Sequence, residues 1–415
     1  MSRTEPFFEW QEERRNAGLW PYSRIMIERP DSSGMLRDER GTVRRGLNFA
    51  SQDYLSLASH PAIIAAAAEA LHTFGPHSAG SPVLTGNTTL SSRLEREISD
   101  FVGMEHVLLF PTGWAAGFGA ITGLVRPYDH ILIDSLAHAC LQAGANAATQ
   151  NVRQYRHLDA ESLRSMLVTI RATDSENGIL IITEGLFSMD SDVPEIERLQ
   201  ALAHEYDATL FVDVAHDFGA TGPGGAGTIA RQHMLGKVDL VMGSFSKTFA
   251  SNGGFLASNR AAVWQTVKYY GGTHIFSNAL SPIQAAVVSE ALRIVRSEAG
   301  EELRQKNRAV SELLRTELHT HGLRVAGEPS PIVPVMIGSE KIARIASKLI
   351  AERGLLANLV EFPAVAVGTA RFRMQCMAGH RADATRDAAR IIGEAVRDAT
   401  NYINGTALGD PNQSR

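Results

Sequence analysis

Lys247 lies in Gly243-Ser244-Phe245-Ser246-Lys247-Thr248-Phe249-Ala250, directly after the apolar run Val238-Asp239-Leu240-Val241-Met242. A strand that empties into a hydroxyl-rich turn with one lysine offers an imine-forming amine beside a phosphate seat. That pairing is what a pyridoxal 5′-phosphate (PLP) Schiff base requires. Most lysines after strands are solvated, so this segment alone is a weak signal. Asp213 strengthens it, because it closes the β-branched and aromatic run Thr209-Leu210-Phe211-Val212. An acid in that position belongs at the carboxyl end of a buried strand, where open α/β sheets place ligands. A buried carboxylate is costly without a cation, and the pyridinium nitrogen of PLP is such a cation. A hydrogen-bonded opposite charge shifts a pKa by about 1–3 units, enough to keep the ring protonated and electron-withdrawing. Taken alone, Asp213 reads equally well as a cap for the next helix.

Those two groups need strands whose carboxyl ends converge. Apolar runs at 106–110, 130–134, 178–183, 209–213 and 238–242 alternate with segments long enough for helices, and 161–169 and 195–206 carry a helical period. This predicts an α/β fold with a mainly parallel sheet wrapped by helices. The large domain is expected over 61–285, opening with an alanine-rich helix seeded by Pro61. Beyond the Gly271–Ser277 stretch the pattern changes. One or two long amphipathic helices over 282–318 and short strands at 331–337, 355–359 and 369–375 predict a smaller α+β domain over 286–403. Residues 1–60 read as an arm, broken at Trp20-Pro21-Tyr22 and Pro30, followed by a short polar segment. The Gly, Pro, Asn, Gln and Ser of 404–415 predict a disordered tail.

Composition narrows the classes. A chain of 415 residues with 44% hydrophobic content can bury a large core and predicts two to three domains. The net charge of −5 argues against nucleic acid as a main partner. Cys140 and Cys376 are too few for a disulfide framework and have no metal-like spacing. They read as inert core thiols in a reducing cytoplasm, with no metal site. The opening residues lack a signal-type apolar region, and no run of about 18 apolar residues occurs, so no integral membrane segment is expected.

Further segments fall in order along the chain: Asp53-Tyr54-Leu55, Thr85-Gly86-Asn87, Phe110-Pro111-Thr112-Gly113-Trp114, Asp134 with His138, Glu184-Gly185 with Ser188-Met189-Asp190, Asp213 with His216, the Lys247 turn, Phe276-Ser277, and Val367-Gly368-Thr369-Ala370-Arg371-Phe372-Arg373. From about Asn48 to His380, the ordered set resembles the α-oxoamine synthases, PLP-dependent acyltransferases of the fold-type-I, aspartate-aminotransferase-like class. Each segment is weak by itself; the set is specific because every member answers a separate demand of one cofactor.

The resemblance implies roles residue by residue. Thr112, Gly113 and Trp114 would open a helix whose amides hold the phosphate, with hydroxyls from Ser244 and Ser246. Ser277 and Asn278 would reach that phosphate from the second subunit of a homodimer whose active sites lie at the subunit interface. His138 would stack on the pyridine face, His216 and Ser188 would bond the phenolic oxygen, and Glu184 would either orient His138 or support its loop. Arg373 would bind the amino-acid carboxylate through its planar fork. Arg371 is expected to be structural and turned to the opposite face. Taken singly, His138 reads as an ordinary histidine, and Thr112-Gly113 as a plain strand-to-helix turn.

Departures from the family pattern concern the substrate. Gln52 replaces an asparagine that helps hold the carboxylate, and Pro82, Ser91, Val214 and Ala137 replace a common Arg, His, Glu and Asn. They set the chain apart from the members serving biotin synthesis and threonine degradation, and favour a specialised substrate, in sphingolipid-like or secondary metabolism. The implied reaction is decarboxylative condensation of an α-amino acid with an acyl thioester. Lys247 serves as cofactor anchor and base, with His138 and Asp213 completing the catalytic set. The acyl group would be carried by coenzyme A or an acyl carrier protein, and the products are an α-aminoketone, carbon dioxide and free thiol. An aminotransferase or amino-acid lyase on the same fold is the alternative. A non-catalytic partner subunit is a remoter one, because such subunits typically lack the lysine.

Overall fold

In the computed structural model, which describes residues 2–405, the five apolar runs join two further strands in one sheet. The strands are β1 (His106–Phe110), β2 (His130–Asp134), β3 (Val152–Tyr155), β4 (Ile179–Glu184), β5 (Thr209–Asp213), β6 (Leu240–Ser244) and β7 (Gly254–Ser258). Their order is β1-β7-β6-β5-β4-β2-β3. Pairing is parallel except at β7, which runs antiparallel to both neighbours.

Burial explains why these runs were readable. Every residue of β4, β6 and β7 is buried, and a sheet covered on both faces favours continuous apolar runs over alternation. Ile131, Ile133, Ile182, Phe211 and Met242 pack with Ala116, Ala120 and Ile121 of the helix Gly113–Leu124. Each large side chain buried there contributes about 1.5–3 kcal/mol. Two expected strands shift toward the carboxyl end. The 178–183 run becomes Ile179–Glu184, and 238–242 becomes Leu240–Ser244, because Gly243 and Ser244 pair with Phe255 and Gly254 of β7.

The register aligns the carboxyl ends. Glu184 stands opposite Asp213, and Asp213 opposite Met242. Gly254 pairs with Ser244 on one side and Phe110 on the other. The ends of β4, β5, β6 and β1 therefore bring their side chains to one edge. A helix unforeseen in the sequence, Thr89–Val102, belongs to the same unit. Ser91 is its third residue and exchanges hydrogen bonds with Thr88 in a capping box, which gives this departure from the family pattern a local structural role.

This unit comprises Leu57–Ser188 and Asp192–Arg304. The other gathers the chain up to Ser56, the short segment Met189–Ser191, and the chain from Gln305 onward. In it, Val43–Asn48 pairs with Ser33–Arg37 on one side and Leu355–Leu356 on the other. Ala370–Gln375 lies between Ile332–Gly338 and Asn358–Val360 in a second sheet. The strand expected at 355–359 is thus two short strands in different sheets, separated by buried Ala357. Val333, Val335, Ile350, Phe372, Met374 and Ile392 form this unit's core.

The 282–318 region is two helices, Pro282–Val295 and Glu298–Thr320. Ser297 starts the second by accepting the Gly300 N–H at 3.4 Å. The arm carries the helix Glu5–Asn16, with the Arg14 guanidinium 3.8 Å from the Trp10 ring centre. Of the expected tail, Asn404 and Gly405 form a turn after the helix Ala382–Ile403, and 406–415 lie outside the described residues.

Candidate active site

At the carboxyl ends of β4, β5 and β6 lies a cavity of about 210 Å³. One wall is the start of the helix Gly113–Leu124, whose N-cap Thr112 accepts the Ala115 N–H at 3.0 Å. The Gly113 and Trp114 amides occupy the first turn, where a helix has no internal acceptors and its dipole is positive. A Cβ on Gly113 would lie 2.5 Å from Ser244 Oγ, so only glycine lets this helix begin against β6. The Ser244 hydroxyl bonds Ser246 Oγ at 3.2 Å and also accepts the Ser246 N–H at 3.3 Å. Two first-turn amides and two hydroxyls thus make an anion seat.

The opposite side is acidic. Asp213 is 4% exposed and accepts the Ala215 N–H at 2.8 Å. Burial pushes its carboxyl above the usual range, while the charges of Lys247 and His138 pull the other way. Glu184 beside it is raised well above its ordinary value, first by burial and then by the charge of Asp213. Burial thus raises both carboxyls of this adjacent pair, and the charge of half-buried Lys247 opposes the rise in each.

His138 is exposed at this cavity and caps the helix Ala139–Ala148. Its backbone N–H donates to Glu184 Oε1 at 2.5 Å, and its Nδ1 accepts the Cys140 N–H at 3.3 Å. Trp114 meets the imidazole edge-on, with ring centres 6.1 Å apart. His216 is buried in the cavity wall. Cys140 also lines the cavity, with Sγ 3.0 Å from His138 Nδ1. Its composition-level reading as a core thiol missed this contact. Burial, with Asp213 and Glu184 adding to it, raises the thiol pKa, so Cys140 stays protonated.

Three expected site residues of this unit are not among the cavity's walls. Ser188 is buried in the turn after β4, Ser277 is half-buried, and Asn278 is exposed beside Phe276, which is 89% exposed.

Gln52, half-buried, and Arg373 belong to the other unit. There the expectation that Arg371 and Arg373 face opposite ways fails. They are two residues apart on one strand, which places them on the same side, and both reach Met189: Arg371 Nη1 its carbonyl at 3.0 Å, Arg373 Nη1 its Sδ at 3.8 Å. What separates them is pairing. Arg371 is bound to Asp190 Oδ1 at 2.5 Å, whereas Arg373 has a buried Nε without a partner and no paired carboxylate among the described residues. Desolvation depresses the Arg373 pKa from its ordinary value, with Tyr54 opposing.

These groups fit PLP. The glycine-dependent anion seat suits a phosphate, the buried Asp213 suits a ring cation, and Lys247 supplies the amine within electrostatic reach of Asp213. Fold and site together define a fold-type-I PLP enzyme. Comparison with known proteins agrees. The family described as aminotransferase class I and II matches residues 44–392. A serine palmitoyltransferase from Sphingobacterium spiritivorum is 35% identical over 402 residues, covering 96% of this chain and 97% of that one. An 8-amino-7-oxononanoate synthase from Trichlorobacter lovleyi is 36% identical over 356 residues, covering 86% and 90%. A solved serine palmitoyltransferase from S. paucimobilis, with PLP and myriocin bound, superposes with a TM-score of 0.90 at 26% identity, covering 96% of this chain and 98% of that one. The chain belongs to the aminotransferase class I and II family and, within it, to the α-oxoamine synthases, which are PLP-dependent acyltransferases.

Gly113→Ala is expected to weaken PLP retention about tenfold or more by forcing the helix start off Ser244, a displacement of the kind that misplaces bound groups. Equilibrium dialysis against PLP measures it. Retention equal to wild type would show that the helix start shifts without disturbing the seat.

Proposed function

We propose that this α-oxoamine synthase condenses serine, or a similarly small α-amino acid, with a long-chain acyl thioester, releasing an α-aminoketone, carbon dioxide and the thiol. The two relatives' identities, 35% and 36%, do not separate the substrates. What supports serine is the serine palmitoyltransferase relative matched over 96% of this chain together with the solved serine palmitoyltransferase that superposes at a TM-score of 0.90. The carrying observation is the single cavity that joins Lys247, Asp213 and the Gly113 seat.

PLP, when bound, supplies an electron sink that stabilises a carbanion at the substrate Cα. Lys247 would anchor the cofactor, and its amine would move the substrate Cα proton. Asp213 would hold the ring nitrogen, and His138, its amide fixed by Glu184, would cover the ring. His216, in the cavity wall, would address the phenolic oxygen, with Ser188 on the neighbouring turn as the second donor. Gly113, Trp114, Ser244 and Ser246 hold the phosphate, with Thr112 fixing the helix start. Arg373 would bind the substrate carboxylate, an anion that its buried, unpartnered Nε could take. Gln52 shapes the same carboxylate pocket.

Exposed Phe276 and Asn278 support a homodimer in which Ser277 and Asn278 complete the partner's phosphate seat. No helix among the described residues is long and apolar enough to cross a membrane. Two buried, unpaired cysteines support a cytoplasmic setting. The acyl carrier is coenzyme A or an acyl carrier protein.

The test is an amino-acid screen by cofactor absorption, followed by a thioester screen for thiol release. A spectral response to serine, and thiol release only when serine and palmitoyl thioester are both present, is the expected result. A response to a different amino acid alone would overturn the substrate reading; keto-acid formation with an amine acceptor would make the chain an aminotransferase. Arg373→Lys is expected to raise the amino-acid KM about tenfold or more, because a point charge replaces a planar fork, while PLP retention stays unchanged. An unaltered KM would remove Arg373 from the carboxylate site.

A further inference from the structure

We infer that His157 is a positioning residue, clamping together the two loops that bear His138 and Ser188. The inference rests on the PLP reading above.

Asp134 ends β2, and its loop leads to His138. The Asp134 carboxylate is buried; Oδ1 accepts the Leu136 N–H at 2.9 Å and Oδ2 the Leu158 N–H at 3.0 Å. His157, on the loop after β3, places Nδ1 at 2.8 Å from Asp134 Oδ1 and Nε2 at 3.1 Å from Asp192 Oδ2. Carboxylates only accept, so both ring nitrogens carry protons and His157 is an imidazolium. Burial opposes that charge, but the bonds to Asp134 and Asp192 outweigh it and raise the pKa to about 10.

Asp192 closes the loop after β4. Its carbonyl accepts the Phe187 N–H at 2.9 Å, and the Phe187 ring stands perpendicular to His157 with centres 4.5 Å apart. Ser188 follows Phe187 directly. Leu158, beside the imidazolium, takes φ +57°, a left-handed conformation uncommon for leucine, and its N–H is the one bound by Asp134. One cation thus fixes three loops at the carboxyl edge of the sheet. Without it the buried Asp134 loses its counterion, and the segment running to His138 loses its anchor.

His157→Gln removes the charge that both carboxylates face, whereas His157→Arg keeps a cation with donors for both. In the PLP-loaded enzyme, His157→Gln is expected to lower PLP retention and kcat about tenfold each, with the amino-acid KM within about twofold, because misplaced groups slow a reaction more than they weaken remote binding. His157→Arg is expected to recover most of both. Should His157→Gln fold poorly, Asp192→Asn, which leaves the Asp134 contact intact, is expected to shift retention and kcat in the same direction by less. A lower melting temperature with wild-type retention and kcat would reduce the bridge to a structural ion pair and overturn the inference, as would equal losses in His157→Gln and His157→Arg. A wild-type protein that takes up no PLP would instead sink the cofactor reading itself.

Discussion

Lys247→Ala is expected to lose turnover by about 10⁴-fold, the upper range for removal of a proton-transferring group, while the protein folds and still binds PLP weakly. The phosphate seat survives the change, since its donors are the Gly113 and Trp114 amides and the Ser244 and Ser246 hydroxyls. Folding survives because Lys247 lies in the turn after β6, and its neighbours Phe245 and Phe249, at 0% exposure, supply the packing there. What disappears is the amine. Borohydride treatment followed by peptide mapping should place the reduced cofactor on Lys247 in wild type and nowhere in the variant, and thiol release should fall to background. Turnover within tenfold of wild type would mean that another amine does this work.

Much of this site was legible because its framework obeys a simple rule. Strands buried on both faces write continuous apolar runs, and β1, β2 and β5 begin and end where those runs do. Asp213 announced itself as the polar residue closing such a run, and Lys247 as the lysine of the hydroxyl-rich turn after one. The rest depended on contacts between distant segments. β7 reads Gly-Phe-Leu-Ala-Ser, with only two large apolar residues and no β-branched one, and β3 is an edge strand reading Val-Arg-Gln-Tyr with only Tyr155 buried. His157 carried no local signal: its partners are 23 and 35 residues away, and only the parallel register brings them to one edge. Arg371 and Arg373 are indistinguishable by type and share a face; the Asp190 carboxylate from elsewhere in the chain separates them.

Asp213→Asn is expected to separate stability from activity, since the same burial acts on both in opposite directions. The amide keeps the shape and the acceptor for the Ala215 N–H, now at 2.8 Å, and removes only the charge. In the cofactor-free fold the Asp213 carboxyl is raised above its ordinary 3.8. Below that pH both folded and unfolded chains hold the proton, and no penalty exists. As pH rises, the unfolded chain ionises first, so the buried acid destabilises the fold at neutral pH. The cofactor-free variant should therefore melt above wild type at pH 7, with the difference closing near pH 3. PLP reverses the ranking, because a ring cation relieves the buried anion in wild type and meets only an amide in the variant. Added PLP should raise the wild-type melting temperature more than the variant's, and turnover should fall about 10²–10³-fold, as for loss of one preorganised electrostatic group. Equal stabilisation of both proteins by PLP would place the ring nitrogen away from Asp213, and with it would go the reason a carboxylate is buried at the end of β5.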